Sequence, residues 1–352
     1  MGGGINGVMS AWMLANAGHR VEVFERGTLM GETSSASTKL LHGGLRYLEH
    51  GRLALVREGL IERAWWLNSA PHLARPIELV VPLYEGAPRS RFKLKAGLTL
   101  YDCLAGKHSI GRHRSLDKDT LSRVAPELKT DGLRGGFIFQ DGQMNDNALG
   151  LWAAEQARKR GVEFREFCAV EKVSAEGKVV TNGETRKFDF VVNAAGPWAS
   201  ELLSRSGIAS RYQLDLVRGS HVVFDETLPC GVVLQAHDRR VCFALPYEGR
   251  TLLGTTEVRQ SMSAPIRADS DEVRYLLAAY NRYFENTKSE LDIVDVFAGV
   301  RPLVRANQAA TRTSRECAIE VNRRLITVFG GKWTSARALG HRVTRTVLER
   351  ST

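Results

Sequence analysis

The first residues with a chemical signature are three glycines, Gly2, Gly4 and Gly7, in the order G-x-G-x-x-G. They open a predicted helix of small residues, and the alternating apolar segment that follows ends at Glu25. Glycines at this spacing let the backbone approach a pyrophosphate, whose charge the helix N-terminus stabilises. A carboxylate about 20 residues later accepts hydrogen bonds from the adenosine ribose hydroxyls and disfavours a 2'-phosphate. The pattern predicts a site for FAD or NAD rather than NADP, the alternative being a glycine-rich start to a buried helix.

A second group of chemically active side chains lies in residues 35–49, which read SASTKLLHGGLRYLE. The segment combines three hydroxyls, a lysine, a histidine, two adjacent glycines and an Arg-Tyr pair. Adjacent glycines disfavour an ordinary helix, and an ordinary loop has little use for so many leucines. The composition indicates bare backbone that passes close to a ligand, with polar and positive side chains beside it.

A second glycine turn, Gly330–Gly331, follows a predicted strand and precedes the last predicted helix. Its sequence, FGGKWTSAR, repeats the strand, glycine and helix order of a dinucleotide site. Reduction of a flavin places negative charge near N1 and the C2 carbonyl, and a helix N-terminus stabilises that charge. The turn therefore favours a flavin. The alternative is a plain strand-to-helix turn with Lys332 and Thr334 facing solvent.

The elements that position these groups alternate between helices and strands. Helices are predicted over 52–69, 145–160 and 269–286, the last with Ser270 as its N-cap. Short alternating segments over 212–256 predict an antiparallel sheet. We expect an α/β fold, an α+β composite in which a Rossmann-like FAD-binding domain is interleaved with an antiparallel-sheet substrate domain.

The expected domains are discontinuous in sequence. The FAD-binding domain is predicted over 1–70, 140–210 and 295–352, and the substrate-binding domain over 71–139 and 211–294. The 352 residues suit such a two-domain arrangement. In a dinucleotide-binding unit a first strand normally precedes the glycines, whereas only Met1 stands before Gly2. We expect a gap in the parallel sheet there, or another segment that fills it.

Composition restricts the partners. The net charge of +10 suggests an anionic partner, but the basic residues are spread out and no base-reading motif occurs, so nucleic acid is not expected. Five cysteines without a CxxC pair predict neither disulfides nor a metal site and fit a reducing compartment. With no predicted signal peptide or membrane span, we expect a cytoplasmic protein that is at most peripheral on the inner face of the cytoplasmic membrane.

Residues 89–114 form a basic segment with seven Lys and Arg against one acid, interleaved with apolar residues. A basic amphipathic segment can lie on an anionic membrane surface. The alternative is a solvated helix that packs on the body of the protein.

Seven segments together resemble one known family. The chain is similar to FAD-dependent glycerol-3-phosphate dehydrogenases, within the wider group of flavoproteins that resemble glycine oxidase and D-amino-acid oxidase. The matching segments are GGGINGV, SSASTKLLHGGLRYLE, FVVNAAGPW, RGSHVVF, LPYEGRTLLGTTE, AGVRPL and FGGKWTS. Members of the family usually carry a further helical C-terminal domain, so this chain resembles a short form.

The resemblance implies FAD as the cofactor and a set of residues around it. Beside the ribose acid, they comprise the glycine turn, the hydroxyls and lysine of the 34–45 segment near the pyrophosphate and ribityl chain, and residues near the adenine and the flavin ring. In this sequence they are Gly2, Gly4, Asn6, Gly7, Glu25, Ser34, Ser35, Thr38, Lys39, His42, Gly43, Gly44, Leu45, Val170, Gly196, Trp198, Gly331, Lys332, Trp333 and Thr334.

The expected substrate is a small phosphorylated molecule. A phosphomonoester carries nearly two negative charges and needs converging cations, which Arg46, Arg301 and Lys332 supply from three separate motifs. The family places Arg46 and Tyr47 in the substrate pocket, and we expect Tyr47 and Thr256 to orient the substrate hydroxyls.

Oxidation of a secondary alcohol also requires a base for the hydroxyl proton. His221 is the candidate, because the ordinary pKa of histidine lies near the working pH. Arg301 is the second catalytic candidate, since it can stabilise a developing alkoxide.

The main hypothesis is oxidation of sn-glycerol 3-phosphate to dihydroxyacetone phosphate, with hydride passing to N5 of FAD and electrons passing on to a quinone or another acceptor. One alternative is an FAD-dependent oxidase or dehydrogenase of another hydroxy or amino acid, which would use Arg301 for a carboxylate. The other is a degenerate flavin-binding protein without catalysis.

Overall fold

The protein is described by a computed structural model over residues 1–238, 240–305 and 317–351. These residues contain eight α-helices: α1 (Ile5–Asn16), α2 (Leu53–Ser69), α3 (Arg91–Ala105), α4 (Lys118–Val124), α5 (Asp146–Arg158), α6 (Ala199–Arg205), α7 (Ser270–Tyr283) and α8 (Ala336–Ser351). Short 3-10 helices cover Thr33–Ser35, Leu45–His50, Gly106–His108, Gly196–Trp198 and Glu290–Asp292. Part of the predicted 295–352 segment, residues 306–316 and 352, lies outside the described residues.

The same residues contain eighteen strands. They are β1 (Glu22–Phe24), β2 (Leu40–Leu41), β3 (Ala74–Tyr84), β4 (Arg114–Leu116), β5 (Leu133–Met144), β6 (Glu163–Arg165), β7 (Val170–Val173), β8 (Lys178–Thr181), β9 (Glu184–Lys187), β10 (Val191–Asn193), β11 (Gln213–Phe224), β12 (Gly231–Gln235), β13 (Val241–Tyr247), β14 (Arg250–Gly254), β15 (Val258–Arg259), β16 (Ile293–Arg305), β17 (Cys317–Asn322) and β18 (Leu325–Gly330). The predicted composite of α/β and antiparallel parts is confirmed.

The α/β part is built from short parallel pairs covered by helices. β1 pairs with β6, and β10 pairs with β18, both in parallel. Helix α1 packs closely on α8, where a Cβ added to Gly340 would lie 2.6 Å from the carbonyl oxygen of Met9. This close packing puts the N-terminus of α1 at the end of the strands, where dinucleotides bind.

The place of the expected first strand is held by the backbone of Met1 and Gly2. The amino group of Met1 donates to the Val192 carbonyl at 2.7 Å, and the Met1 carbonyl accepts from Ala194 N–H at 2.9 Å. On the other side, Gly2 N–H donates to the Phe24 carbonyl at 2.9 Å. These bonds link the β1 pair to the β10 sheet across the predicted gap.

The antiparallel part is a sheet of ten strands among the described residues. Its main order is β15-β11-β14-β13-β12-β3-β5-β2, with β16 on β11 and β4 on β5. β11 and β16 pair along almost their whole lengths, from Gln213 opposite Arg305 to Phe224 opposite Ile293. Because β16 and β2 join this sheet, it continues beyond the predicted domain boundary at 295 and into the segment predicted to bind the cofactor.

Two local predictions need correction. Helix α7 is capped by Asp269 instead of Ser270, because the Asp269 carboxylate accepts from Glu272 N–H and completes a capping box. The same helix, predicted to run to residue 286, ends at Tyr283. Over residues 161–173 the chain forms two strands, β6 and β7. Phe167 lies between them at a φ of 54°, and its N–H donates to the Gly27 carbonyl.

Helix α3 lies within the basic segment 89–114. Leu98 and Tyr101 are buried against the protein, whereas Phe92 is 83% exposed and Leu100 is 37% exposed. The helix therefore packs on the body of the protein and also keeps apolar side chains on its outer face. None of the helices in the described part of the chain has the length and apolar character needed to span a membrane.

Candidate active site

A cavity of about 1690 Å³ connects the two parts of the fold. Most of the predicted site residues line it. They are Gly2, Gly4, Asn6, Glu25, Ser34, Thr38, His42, Gly44, Leu45, Arg46, Tyr47, Val170, Gly196, Trp198, His221, Arg301, Gly331, Lys332, Trp333 and Thr334. Segments far apart in sequence thus converge on one site.

At one end of the cavity, the glycine turn meets Glu25. Gly3 N–H donates to Oε2 of Glu25 at 2.6 Å, and Gly27 N–H donates to Oε1 at 2.9 Å. Helix α1 starts after Gly4 without a side-chain cap, although Ser34 Oγ accepts from Ile5 N–H at 3.0 Å. The turn thus offers backbone N–H groups and a positive helix end to a bound anion.

The turn at 330–334 lies against the same helix end. Gly330 and Gly331 have φ of 73° and 103°, and a Cβ on Gly331 would lie 2.5 Å from Nδ2 of Asn6. Asn6 donates to the Gly330 carbonyl at 3.2 Å, while its Oδ1 atom is buried with no hydrogen-bond partner among the described residues. Trp333 Nε1 donates to the Ser34 carbonyl at 3.0 Å. The two glycine motifs therefore form one continuous wall.

Two predicted glycines lie behind that wall. A Cβ on Gly7 would lie 1.9 Å from the Gly2 carbonyl oxygen, and one on Gly43 would lie 2.7 Å from Cγ of Leu60. Gly43 N–H donates to the buried hydroxyl of Tyr101 at 2.8 Å. Both glycines permit close packing of the turn that carries the site, and Gly44 alone of the adjacent pair lines the cavity.

Lys39 and Ser35 also lie outside the cavity lining, which corrects their predicted place beside the pyrophosphate. Lys39 is 8% exposed, and its Nζ lies 2.6 Å from Oδ1 of the fully buried Asp146. The same ammonium donates to the Ser35 carbonyl, and Ser35 Oγ donates to the Met30 carbonyl. Because its charge is neutralised by Asp146, Lys39 fixes the shape of this segment.

His221 lines the cavity from β11. Its Nε2 lies 3.0 Å from Oγ1 of Thr38, and its ring stacks on Phe297 at 4.7 Å between ring centres. Burial, together with the positive charges of Arg301 and Lys39, lowers the pKa of His221 from 6.5 to about 3. At neutral pH His221 is therefore uncharged, and its Nδ1 has no hydrogen-bond partner among the described residues.

Three predicted cations face this end of the cavity. Nη1 of Arg46 and Nη1 of Arg301 lie 3.7 and 4.0 Å from the same carboxylate oxygen of Glu257. Nζ of Lys332 lies 3.5 Å from the centre of the Tyr47 ring. The cluster brings together three positive charges and one negative charge, which favours an anionic ligand.

Thr256 does not face the cavity, so its prediction as a substrate contact is corrected. It is 3% exposed, and its hydroxyl donates to Glu272 and accepts from Ser220 N–H. Thr255 lines the cavity in its place and accepts from Nη2 of Arg301 at 2.9 Å.

Sequence reasoning missed Thr255 and Glu257. Both flank Thr256 in the GTTE segment, whose residues 255–257 lie between β14 and β15 outside any strand, so the sequence carried no periodic signal for which of these side chains face the cavity.

Comparison with known proteins identifies the family. Residues 1–346 match the DAO family of FAD-dependent oxidoreductases. The chain belongs to this family. The glycine turn, Glu25 and the second turn at 330–334 fit its cofactor, FAD, because they supply a close backbone approach, a ribose acceptor and a positive helix end.

Two curated relatives and one solved structure show what this oxidoreductase resembles. It is 36% identical to D-erythritol 1-phosphate dehydrogenase of Brucella abortus, over 97% of this chain and 71% of the relative. It is 32% identical to glycerol-3-phosphate dehydrogenase of Synechocystis sp., over 97% of this chain and 68% of the relative. The structure of glycerol-3-phosphate dehydrogenase from Bacillus halodurans complexed with FAD matches 99% of this chain and 63% of that chain, at a TM-score of 0.77 and 25% identity. The chain thus spans about two thirds of the length of these proteins.

The lowered pKa of His221 predicts how stability depends on pH. Between its ordinary value of 6.5 and about 3, unfolded His221 binds a proton that the folded residue excludes. Stability should therefore fall as the pH falls through 6.5, by about 2 kcal/mol at pH 5 from this residue.

Urea unfolding at about pH 7.5 and about pH 5 measures this effect. His221→Gln should lose about 2 kcal/mol less than the wild type between the two conditions. A variant of the exposed His50, His50→Gln, should lose as much as the wild type. Equal losses of unfolding free energy in the wild type and in His221→Gln would contradict a lowered pKa of His221.

Proposed function

We propose that the protein oxidises sn-glycerol 3-phosphate to dihydroxyacetone phosphate. The observation that carries this proposal is the convergence of Arg46, Arg301 and Lys332 on one end of the FAD cavity, next to His221. A phosphomonoester is nearly dianionic, and two guanidinium groups and an ammonium are suited to it. Relatives that act on glycerol 3-phosphate and D-erythritol 1-phosphate, both phosphorylated polyols by name, support the same substrate class.

Glu257 is the acid that the substrate phosphate must replace. One oxygen of its carboxylate lies 3.7 Å from Arg46 and 4.0 Å from Arg301. Ion pairs at these distances between half-exposed groups contribute little, about 0–1 kcal/mol. A phosphate with more charge and more acceptor oxygens can therefore displace Glu257 from the two arginines.

The reacting carbinol then lies between the phosphate site and FAD, which accepts a hydride when it is bound. The alcohol O–H proton must leave as the C–H hydride is transferred. His221 is neutral and is the candidate acceptor of that proton, because a bound dianionic phosphate offsets the positive charge of Arg301 that lowers its pKa and so raises its basicity. Thr38, 3.0 Å from its Nε2, fixes the ring orientation. Arg301 stabilises the oxygen as negative charge develops on it.

A second candidate substrate is D-erythritol 1-phosphate, which has one more hydroxymethine group. The 36% identity to a D-erythritol 1-phosphate dehydrogenase favours it. The cavity volume of about 1690 Å³ accommodates a four-carbon polyol phosphate beside the cofactor.

An anaerobic visible spectrum of the purified protein tests both candidates. Bleaching of the flavin bands by glycerol 3-phosphate, but not by glycerol or lactate, is the expected result. Faster bleaching by D-erythritol 1-phosphate would favour the second substrate. Flavin that only a carboxylic hydroxy acid or an amino acid reduces would overturn the proposal and favour the alternative oxidase. Flavin that none of these compounds reduces would favour the degenerate protein.

The electrons then pass to an acceptor, and we propose a quinone at an anionic membrane surface. Helix α3 supports this proposal, because exposed Phe92 and Leu100 share its outer face with Lys95. Lysine stems and apolar side chains on one face are suited to the interface of an anionic bilayer. The proposed location of the protein is therefore the inner face of the cytoplasmic membrane.

Replacing Phe92 with aspartate should weaken binding to vesicles that contain anionic phosphatidylglycerol by about tenfold. The change removes an 83% exposed apolar side chain and adds a charge that the membrane repels. Sedimentation with the vesicles measures it. Phe167→Asp is the matched control, because Phe167 is 76% exposed but lies between β6 and β7. Equal binding by both variants and the wild type would exclude α3 as the contact.

A further inference from the structure

A buried carboxylate, Glu272, lies behind the candidate catalytic residues. Glu272 is in the first turn of α7, is 4% exposed and does not line the cavity. A buried carboxylate is costly unless several donors satisfy it, so its contacts indicate what it does.

Glu272 joins three elements through its two oxygens. Oε1 accepts from Ser220 Oγ at 2.8 Å and from the Thr256 hydroxyl. Oε2 accepts from Nε of Arg218 at 2.8 Å, and this buried guanidinium neutralises the carboxylate. One side chain of α7 therefore fixes both β11 and the segment that follows β14.

Each of these two segments leads directly to a candidate catalytic residue. Ser220 immediately precedes His221 in β11. The Thr256 carbonyl accepts from Nη2 of Arg301 at 2.8 Å, and Thr255 accepts from the same nitrogen. Movement of the Glu272 carboxylate would therefore be transmitted to the guanidinium of Arg301 through a single residue.

The hydrogen-bond donors around this position require a carboxylate and not an amide. The Thr256 oxygen accepts from Ser220 N–H at 2.8 Å, so its own proton must go to an acceptor. A carboxylate accepts from Ser220, Thr256 and Arg218 together, whereas a glutamine amide would place an NH₂ group against one of these donors. Loss of the charge would also leave Arg218 without its most buried counterion.

We propose that Glu272 is a positioning residue that holds Arg301, through Thr256, in its orientation toward the substrate. This inference rests on the proposed function of Arg301. It concerns a residue that contacts neither substrate nor cofactor. Displacements of about 1 Å at a catalytic group can lower the rate about 100-fold, so the effect should be measurable.

Kinetics of FAD-loaded Glu272→Gln test the proposal. With glycerol 3-phosphate we expect kcat/KM to fall about 10- to 100-fold, and the inhibition constant of inorganic phosphate to rise in parallel. Glu62→Gln is the matched control, because Glu62 is also 4% exposed and forms a two-bond ion pair with Arg337 away from the cavity. It should lower the melting temperature and leave kcat/KM within about twofold.

Thr256→Val provides a second, independent variant if Glu272→Gln fails to fold. It should reduce kcat/KM in the same direction, and the double variant should be no worse than the worse single variant, because both act on one path. The proposal would be overturned if both Glu272→Gln and Thr256→Val kept kcat/KM within twofold of the wild type. It would also be overturned if the reductions in kcat/KM of the two single variants multiplied in the double variant.

Failure of the proposed function is distinguishable from failure of this inference. In that case, the wild type itself would not be reduced by a phosphorylated polyol. The same variants would then be compared with the hydroxy or amino acid that does reduce the flavin, and the same criterion of fold-change in kcat/KM would decide the role of Glu272.

Discussion

Arg301→Ala is expected to lower kcat/KM for glycerol 3-phosphate by about 10²- to 10³-fold and to leave FAD bound. Arg301 lies at the cavity on β16, and Thr255 and the Thr256 carbonyl orient its Nη2. It is therefore preorganised to bind a phosphate or to stabilise an oxyanion, and no solvent rearrangement is needed when the charge develops. The variant removes a charge that two acceptors orient toward the cavity, so the loss should exceed that of an unoriented surface cation.

The control is Arg259→Ala. The Arg259 side chain also lines the cavity, but it is 82% exposed and only a distant partner of Asp215 at 3.7 Å. Exposed pairs of this kind contribute about 0–1 kcal/mol, so kcat/KM should change less than about fivefold. Steady-state kinetics and the flavin-to-protein absorbance ratio separate the outcomes. If Arg301→Ala loses its flavin while Arg259→Ala retains it, then Arg301 maintains the structure of the cofactor site.

The cofactor end of the site was predictable from sequence because its chemistry is local. The spacing of Gly2, Gly4 and Gly7 requires close backbone approach, and Glu25 follows at the end of the next strand. Both constraints act within one β-α-β unit, and the structure brings them together through direct hydrogen bonds to Glu25. The helix over 145–160 was predictable for the same reason, since its Asn145 cap is local, and the end of the helix over 52–69 was predictable because Pro71 follows it.

The remainder of the site depends on contacts between distant segments. Lys39 has the same charge whether it faces a pyrophosphate or a buried acid, and only the fold places Asp146 at 2.6 Å from its Nζ. Thr256 and Thr255 differ only in the face of the chain from which they project. The pKa of His221 falls chiefly because the surrounding sheet buries it, and also because β16 brings Arg301 near it. Tertiary burial and long-range charge cannot be obtained from residue spacing.

The same distinction separates the active enzyme from a degenerate flavin-binding protein. A degenerate protein needs the glycine turns and Glu25, but it has no need of Arg301 oriented by two acceptors or of a buried carboxylate behind it. Unsupported buried polar groups cost stability, so such a network is expected where it has a function. The supporting contacts of Arg301 therefore favour catalysis over cofactor binding alone.

Glu25→Ala is expected to raise the dissociation constant of FAD by about 10- to 100-fold with little change in substrate preference. In the structure the Glu25 carboxylate accepts from Gly3 and Gly27 N–H at 2.6 and 2.9 Å. Its removal takes away the acceptor for the ribose hydroxyls and leaves two backbone donors of the glycine turn without this partner. One hydrogen bond to a charged group contributes about 1.5–3 kcal/mol, so the net loss of one ribose contact gives the stated range.

Titration of the apoprotein with FAD, followed by quenching of flavin fluorescence, measures this constant. Glu163→Ala is the control, because Glu163 lies on the neighbouring strand β6 and its 58% exposed carboxylate pairs with Arg165 at the surface. It should bind FAD as the wild type does. Since Glu25 contacts the glycine turn and Arg301 contacts the segment after β14, the ratio of kcat/KM values for glycerol 3-phosphate and D-erythritol 1-phosphate should be unchanged at saturating FAD. An unchanged FAD constant in Glu25→Ala would contradict the ribose assignment, and a changed substrate ratio would mean that the two ends of the cavity are coupled through the glycine turns.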